Sequence, residues 1–339
     1  MLGRSLTALL LLLGAGAFAP PVSADEAGTV ETTLGRPEVK AWLMRMHEAA
    51  SRRNFQGTFV VTAGGSMSSA RIAHYCDGRN QFERIDTMDG QMRRVFRHND
   101  VVHTLWPRNR VAVVEQRELM SSFPALLKDG DDRIVESYEV SERGTERVAG
   151  HDAHVLQLKP RDALRFGYRL WSEKESGLLL RAEVLGERGE VLESSAFSEV
   201  SIGVKMQPAL VLQPMSRLQG YRVLRPTLTR TDLESEGWIL RLSAPGFRRV
   251  STVKRPLDGE QSGDDASPEV LQSIYSDGLT YVSLFIEPFN ADRHLRPMQT
   301  ITGATQTLMR RQGDAWVTVV GDVPAATLKL FADALERRN

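Results

Sequence analysis

Tyr168-Arg169-Leu170-Trp171, Leu178-Leu179-Leu180-Arg181-Ala182-Glu183-Val184-Leu185 and Val191-Leu192-Glu193-Ser194-Ser195-Ala196-Phe197-Ser198-Glu199-Val200 are three apolar-rich runs inside residues 168–202, separated by Glu175-Ser176-Gly177 and Gly186-Glu187-Arg188-Gly189. Glycine adopts positive φ at little cost, which tight antiparallel connections require, so the stretch reads as a three-stranded meander. Leu180, Ala182 and Val184 alternate with Arg181 and Glu183, which predicts one buried and one wetted face. Such a sheet either covers its own core or curls around something apolar, and these residues leave both readings open.

The meander has many companions. Upstream, strand patterns fall at Phe55 to Thr62, Arg71 to Tyr75, Gln81 to Asp86, Arg93 to Arg97, Val101 to Leu105 and Val111 to Glu115. Gly64-Gly65-Ser66, Asp77-Gly78, Asp89-Gly90, Asn99-Asp100 and Pro107-Arg108-Asn109 punctuate them as hairpin turns. Further strands are expected at Tyr138 to Glu142, Glu146 to Val148 and His154 to Leu158. Pro37 opens a helix whose buried stripe is Val39, Leu43, Met46 and Ala50, with Trp42 beside it, and Glu118 to Lys128 reads as a second, short helix. So many short antiparallel strands cannot lie in one flat sheet, and an unclosed, strongly curved barrel with helices on its open face is the natural solution.

Residues 207–228 scatter Pro208, Pro214, Gly220 and Pro226 through Leu and Gln, which marks a linker between a first domain at 25–206 and a second at 229–339. The second domain reads as small α+β, with strands at Trp238 to Ser243, Phe247 to Lys254, Val270 to Tyr275, Thr280 to Glu287, Thr305 to Arg311 and Trp316 to Val320. A closing helix from Pro324 carries a Leu328, Phe331 and Leu335 stripe, with Arg337-Arg338 at the negative end of its dipole. Residues 1–24 read as a secretory leader, with Arg4, the uncharged run Leu6 to Ala19 and Val22-Ser23-Ala24 before the cut. That run is shorter than the roughly 20 residues that span a bilayer, and the mature chain is expected to be a soluble exported protein.

The chain of 339 residues balances 43 basic against 43 acidic side chains, so no global charge advertises nucleic acid. Its one cysteine, Cys76, excludes an intramolecular disulfide and reads first as a small buried hydrophobe. Phosphate loops, nucleophile elbows, dinucleotide fingerprints and zinc-protease motifs are missing from the sequence. His151 and His154 lie three apart on a strand pattern, where they face opposite ways, and His74 near Cys76 lacks a third orienting group. The expectation is a protein without enzymatic activity, metal or cofactor. Between Arg217 and Arg255, nine basic residues face three acidic ones. This is either a solvated run or a docking surface for an acidic peptide or phosphorylated lipid, with Arg222, Arg225, Arg230, Arg248 and Arg249 as its candidates.

Asn54-Phe55-Gln56-Gly57-Thr58-Phe59, Trp171 followed by Gly177-Leu178-Leu179-Leu180-Arg181, Ile274-Tyr275-Ser276-Asp277-Gly278-Leu279-Thr280-Tyr281-Val282-Ser283 and Val320-Gly321-Asp322-Val323-Pro324, behind an exported leader, resemble the MucB/RseB family. The resemblance covers essentially the whole mature chain. It implies a mostly β fold, with a first domain like the lipoprotein carriers and a smaller α+β second domain. It also implies a periplasmic regulator of the envelope-stress sigma-E factor that binds the periplasmic part of an RseA/MucA-like anti-sigma factor, shields it from proteolysis and is released by a lipid-type signal such as lipopolysaccharide or an acyl chain. A homo-oligomer is left open, and the competing reading is a periplasmic lipid or lipoprotein carrier. The surplus of apolar residues on the first domain's strands makes Phe59, Phe82, Ile85, Phe96, Leu105, Leu170, Leu180 and Phe197 the candidate lipid-binding residues.

Overall fold

Local sequence and long-range pairing agree over most of the chain. The computed structural model describes residues 31–116, 133–242, 244–256 and 269–338. A short β1 (Thr32–Thr33) precedes α1 (Arg36–Arg52). The hairpins then run through β2 (Phe55–Ala63), β3 (Ser66–Cys76), β4 (Gln81–Thr87), β5 (Arg94–His98), β6 (Val101–Trp106) and β7 (Val111–Gln116). After α2 (Arg133–Ser137) come β8 (Tyr138–Val148), β9 (His151–Pro160), β10 (Gly167–Glu173), β11 (Leu179–Leu185) and β12 (Val191–Ile202). The helix expected at Glu118 to Lys128 and the leader at 1–24 lie outside the described residues.

These strands form one 13-stranded sheet in the order β1-β8-β9-β10-β11-β12-β2-β3-β4-β5-β6-β7-β13, where β13 is Arg222–Leu224. It is unclosed, because β1 and β13 end it without meeting. It is also strongly curled. Strands β9 and β3 are five steps apart, about 24 Å in a flat sheet at ~4.8 Å per step, yet Val155 of β9 and Ile72 of β3 share one buried cluster with Ala49 of α1. On the same helix, Val39, Leu43 and Met46 pack on β8 to β11. The apolar stripe read from the sequence is what the sheet wraps.

The meander forms as expected, with Leu170 opposite Ala182 and Ala182 opposite Ser195. Its predicted wet face does not. A register shift at Trp171/Ser172 places Leu180 in the cluster of Phe59 and Phe197, whereas Leu179 joins Tyr168 and Leu170. Glu183 is buried and takes Arg169 at 3.3 Å together with Arg181, whose guanidinium also lies 4.5 Å from the Trp171 ring centre. Burial of a carboxylate between two guanidiniums is tolerable where burial of a lone one is not.

Residues 207–228, read as a linker, are packed structure. Helix α3 (Ala209–Ser216) buries Val211 against Tyr75, Phe82, Phe96 and Leu105, and β13 pairs in parallel with β7. Pro208 caps the start of the helix, Pro214 sits inside it, and the apolar residues between them cover the sheet, a tertiary use that their local pattern does not disclose.

Beyond them lie β14 (Thr229–Arg230), β15 (Trp238–Leu240), β16 (Arg248–Pro256), β17 (Glu269–Ser276), β18 (Tyr281–Pro288), β19 (Met298–Thr302), β20 (Thr305–Gln312), β21 (Ala315–Gly321), α4 (Ala325–Asp333) and β22 (Leu335–Arg337). A seven-stranded sheet takes the order β14-β16-β17-β18-β21-β20-β19, and α4 lays Leu328 and Phe331 on one face of it. The expected helix is shorter than its stripe: Leu335 and Arg337 belong to β22, which pairs with β15, and Arg337 stacks over Trp238 at 4.9 Å.

Where β12 bulges between Phe197 and Glu199, Gly57 of β2 supplies the space, since a Cβ there would lie 2.2 Å from the Glu199 carbonyl oxygen. Gly57→Ala is therefore expected to destabilise the fold by about 1–3 kcal/mol through overpacking against backbone. Urea unfolding of the variant checks it, and an unchanged midpoint would contradict the close approach.

Candidate functional site

The turn between β17 and β18 is built to hold one carboxylate in a fixed position. Asp277 Oδ1 accepts the N–H groups of Leu279 and Thr280, both at 2.9 Å, while the Ser276 hydroxyl donates to the Thr280 carbonyl at 2.8 Å. Gly278, at φ +100, completes a turn that a side chain would strain. The braced tip leaves Asp277 Oδ2 pointing at the first sheet. There Arg165 donates from Nη1 at 2.9 Å and the Tyr138 hydroxyl donates at 3.1 Å.

Arg165 stands in the loop between β9 and β10 with its side chain fully buried. Asp162 holds its Nε at 3.0 Å, and Nη2 donates to the Pro245 carbonyl at 2.6 Å. The Phe247 ring centre lies 5.1 Å from the guanidinium carbon. One guanidinium thus ties its own loop, the β17–β18 turn and the segment before β16. Beside it, Leu279 inserts among Tyr138, Leu156, Tyr168 and Leu170, an apolar plug in the core of the other sheet. Thr327 of α4 donates to the Leu164 carbonyl at 2.9 Å, closing the junction from the far side.

A second contact sits at the opposite rim. The β2–β3 turn meets the β19–β20 turn so closely that a Cβ on Gly303 would lie 2.7 Å from the Ala63 Cβ. Glu193 pairs with Ala63 across β12 and β2. Its carboxyl is pushed above the ordinary value, first by burial and then by the charge of Asp322. Asp322 itself accepts from Thr305 at 2.6 Å. Burial, with the negative charges of Asp322 and Asp277 behind it, also raises the Tyr168 phenol. Asp162 and Asp277 thus meet the buried Arg165 guanidinium, while Glu193 and Asp322 repel each other at the other contact.

The residues singled out in the sequence fall differently. Phe59, Leu180 and Phe197 share one cluster, with Ile85 at its margin; Phe82, Phe96 and Leu105 lie under α3; Leu170 packs with α1 and Leu279. The eight do not line one trough. Of the five arginines, all exposed, Arg222 lies on β13 with Arg225 just beyond, and Arg230 lies on β14 opposite Val253. Arg248 and Arg249 open β16 opposite Ser276 and Tyr275, at the base of the plugging turn. Among the described residues no group of three His, Cys, Asp or Glu could hold a metal. His154 instead meets Glu142 at 2.8 Å, His151 meets the Val200 carbonyl at 3.2 Å, and Cys76 Sγ accepts the Gly78 N–H at 3.3 Å. Arg165, Tyr138 and Glu193 stand in none of the motifs that carry the family resemblance, whereas Asp277 and Asp322 lie within two of them.

Removing one partner of a buried ion pair strands the other charge, so Asp277→Asn is expected to cost about 3–5 kcal/mol. Calorimetry should show this as a lowered and broadened transition, and a wild-type trace would contradict the latch. Glu193 gives a pH test. Its raised value means that the folded chain holds the proton more tightly, so stability falls as pH rises from the ordinary carboxylate value to the raised one. Glu193→Gln should raise the thermal midpoint near pH 7.5 and make no difference near pH 4; the reverse order would refute the assignment.

The chain and its fold have counterparts. The MucB/RseB N-terminal domain pattern matches residues 38–215, and the MucB/RseB C-terminal domain pattern matches residues 232–336. The chain is 29% identical over 335 residues to the sigma factor AlgU regulatory protein MucB of Pseudomonas aeruginosa, covering 96% of each chain. It is 25% identical over 305 residues to the sigma-E factor regulatory protein RseB of Escherichia coli K12, covering 88% of this chain and 91% of that one. A solved structure of MucB in complex with MucA(peri) superposes with a TM-score of 0.64 at 26% identity, over 88% of this chain and 98% of that one.

Proposed function

The chain belongs to the MucB/RseB family, and on that premise we propose that it is a periplasmic negative regulator of the sigma-E envelope-stress response. Its relatives are named sigma factor regulatory proteins. It acts by binding the periplasmic part of an RseA/MucA-like anti-sigma factor in the inner membrane, and the bound partner is shielded from regulated proteolysis. The single observation that carries this reading is the shared fold, across both sheets, with a relative solved on MucA(peri). Among the described residues no helix is long and apolar enough to cross a membrane.

The latch supports the reading physically. A peptide that lies across two sheets loses less entropy on a surface already fixed in one geometry. Arg248 and Arg249, exposed beside the plugging turn, are placed to steer an acidic segment toward it. Release by a lipid-type signal follows if an acyl chain binds a state in which the Phe59, Leu180 and Phe197 cluster has opened. Ligand and partner then prefer different conformations, and a coupling of about 1–3 kcal/mol is the usual size. A simple carrier is the weaker reading, because the eight candidate residues are divided among three packed clusters instead of one trough.

The test is titration of the periplasmic fragment of an RseA/MucA-like protein into the purified chain. Arg248→Glu with Arg249→Glu should slow association about tenfold at low salt and flatten its salt dependence, because steering acts on the on-rate. Acylated lipid fragments should weaken peptide binding by the same factor by which peptide weakens theirs. Absence of peptide binding overturns the regulator, and lipid that leaves peptide affinity unchanged removes only the signal.

A further inference from the structure

Away from the junction, β2, β3, β4 and β12 floor a cavity of about 490 Å³ walled by Leu210 of α3 and by Ala149 at the β8–β9 turn. This volume lies within the range of small-molecule sites, about 300–1,000 Å³. On β3 and β4, Arg71 pairs with Asp86 and Ala73 with Arg84, so these side chains and Tyr75 share one face. No local pattern points to it, because the floor sets β12 beside β2, β3 and β4, neighbours in the sheet that lie far apart along the chain.

Its polar groups make opposite demands. Tyr75 is fully buried, yet its hydroxyl has no hydrogen-bond partner among the described residues. Burial pushes the phenol above its ordinary value, so it remains a proton donor. Asp86 Oδ1 is also buried and makes no hydrogen bond among the described residues, with Arg94 Nε 3.6 Å away at ion-pair distance. Its Oδ2 is already taken by Arg84 at 2.7 Å. One group therefore needs an acceptor and the other a donor, and a buried group left in that state costs about 1–3 kcal/mol.

We propose that this cavity binds a neutral saccharide. A hydroxyl both accepts and donates, which meets Tyr75 and Asp86 together. Arg71 and Arg84 balance Asp86 and Glu199 around the lining, so the site offers an anion no net attraction. An acyl chain would satisfy neither orphan group. The Gln56 amide and the Ser198 and Ser201 hydroxyls offer further bidirectional partners, and Leu210, Val200 and Ala73 offer an apolar wall for the C–H face of a sugar ring.

Chitotriose and maltotriose, titrated separately into the full chain and followed by saturation-transfer NMR and calorimetry, supply the test. At least one should bind. Tyr75→Phe should weaken that binding about fivefold, the worth of one hydrogen bond, while leaving the thermal midpoint unchanged or raised, since the lost hydroxyl has no hydrogen-bond partner among the described residues. Leu210→Trp, on an exposed part of α3, should abolish binding by filling the wall without disturbing the fold. Failure of both sugars to bind, with Tyr75→Phe lowering the midpoint, means that the cavity holds ordered water only and overturns the proposal. Binding of a dodecyl maltoside that depends on its chain and ignores Tyr75→Phe overturns it in favour of an acyl site.

Discussion

A guanidinium with no solvent exposure holds the two sheets of this protein together. Taking Arg165 out of water costs several kcal/mol, and the cost is offset only where Asp277, Asp162 and the Pro245 carbonyl all arrive within hydrogen-bond reach. A buried ion pair adds little net stability compared with apolar residues of the same size. Its effect is on geometry: any shift of the β17–β18 turn relative to the first sheet would leave a buried charge unpaired. Tyr138 and Leu279 then add a second hydrogen bond and an apolar plug at the same point. Orientation of the second sheet is in this way fixed by a contact of a few side chains.

That contact depends in turn on the curl of the first sheet. Arg165 lies in the loop after β9 and Tyr138 opens the neighbouring β8, but the plug also needs Tyr168, Leu170 and α1 behind it, and α1 is held by strands from both sides of the sheet order. Curling is made possible where β11 and β12 shift register and where Gly57 lets backbone approach backbone. Helix α3 covers the outer part of β3 to β7, so the exposed remainder of the sheet is polar or partly roofed, as at the cavity beneath Leu210.

For the peptide-binding regulator proposed above, this arrangement separates two tasks. The second sheet presents exposed arginines close to the plugging turn, where charge can guide an encounter over about 8–10 Å at physiological salt. The first sheet holds packed apolar clusters that a ligand could enter only by displacing helix or turn. At the rim, burial and the charge of Asp322 raise the Glu193 carboxyl, so the contribution of this contact to stability falls as pH rises.

The sequence by itself determined the elements, because period and turn chemistry are local. Alternating apolar positions with Asn, Asp and Gly turns wrote the hairpins, the 3.6-residue stripe wrote α1, and the Ser-Asp-Gly turn of β17–β18 was legible as a tight hairpin. The resemblance of quoted motifs carried the family. Tertiary structure alone decided which face each strand buries: the register shift that parts Leu179 from Leu180 depends on hydrogen bonding to another strand, and no periodicity contains it. It decided that 207–228 covers a sheet, since the partners of Val211 lie more than a hundred residues earlier. It also decided the junction, because Arg165 and Asp277 are 112 residues apart and neither is unusual where it stands. A buried charge is paired by whatever the folded chain brings to it, and that proximity is written in the packing of the whole chain, with no trace in the neighbourhood of either residue.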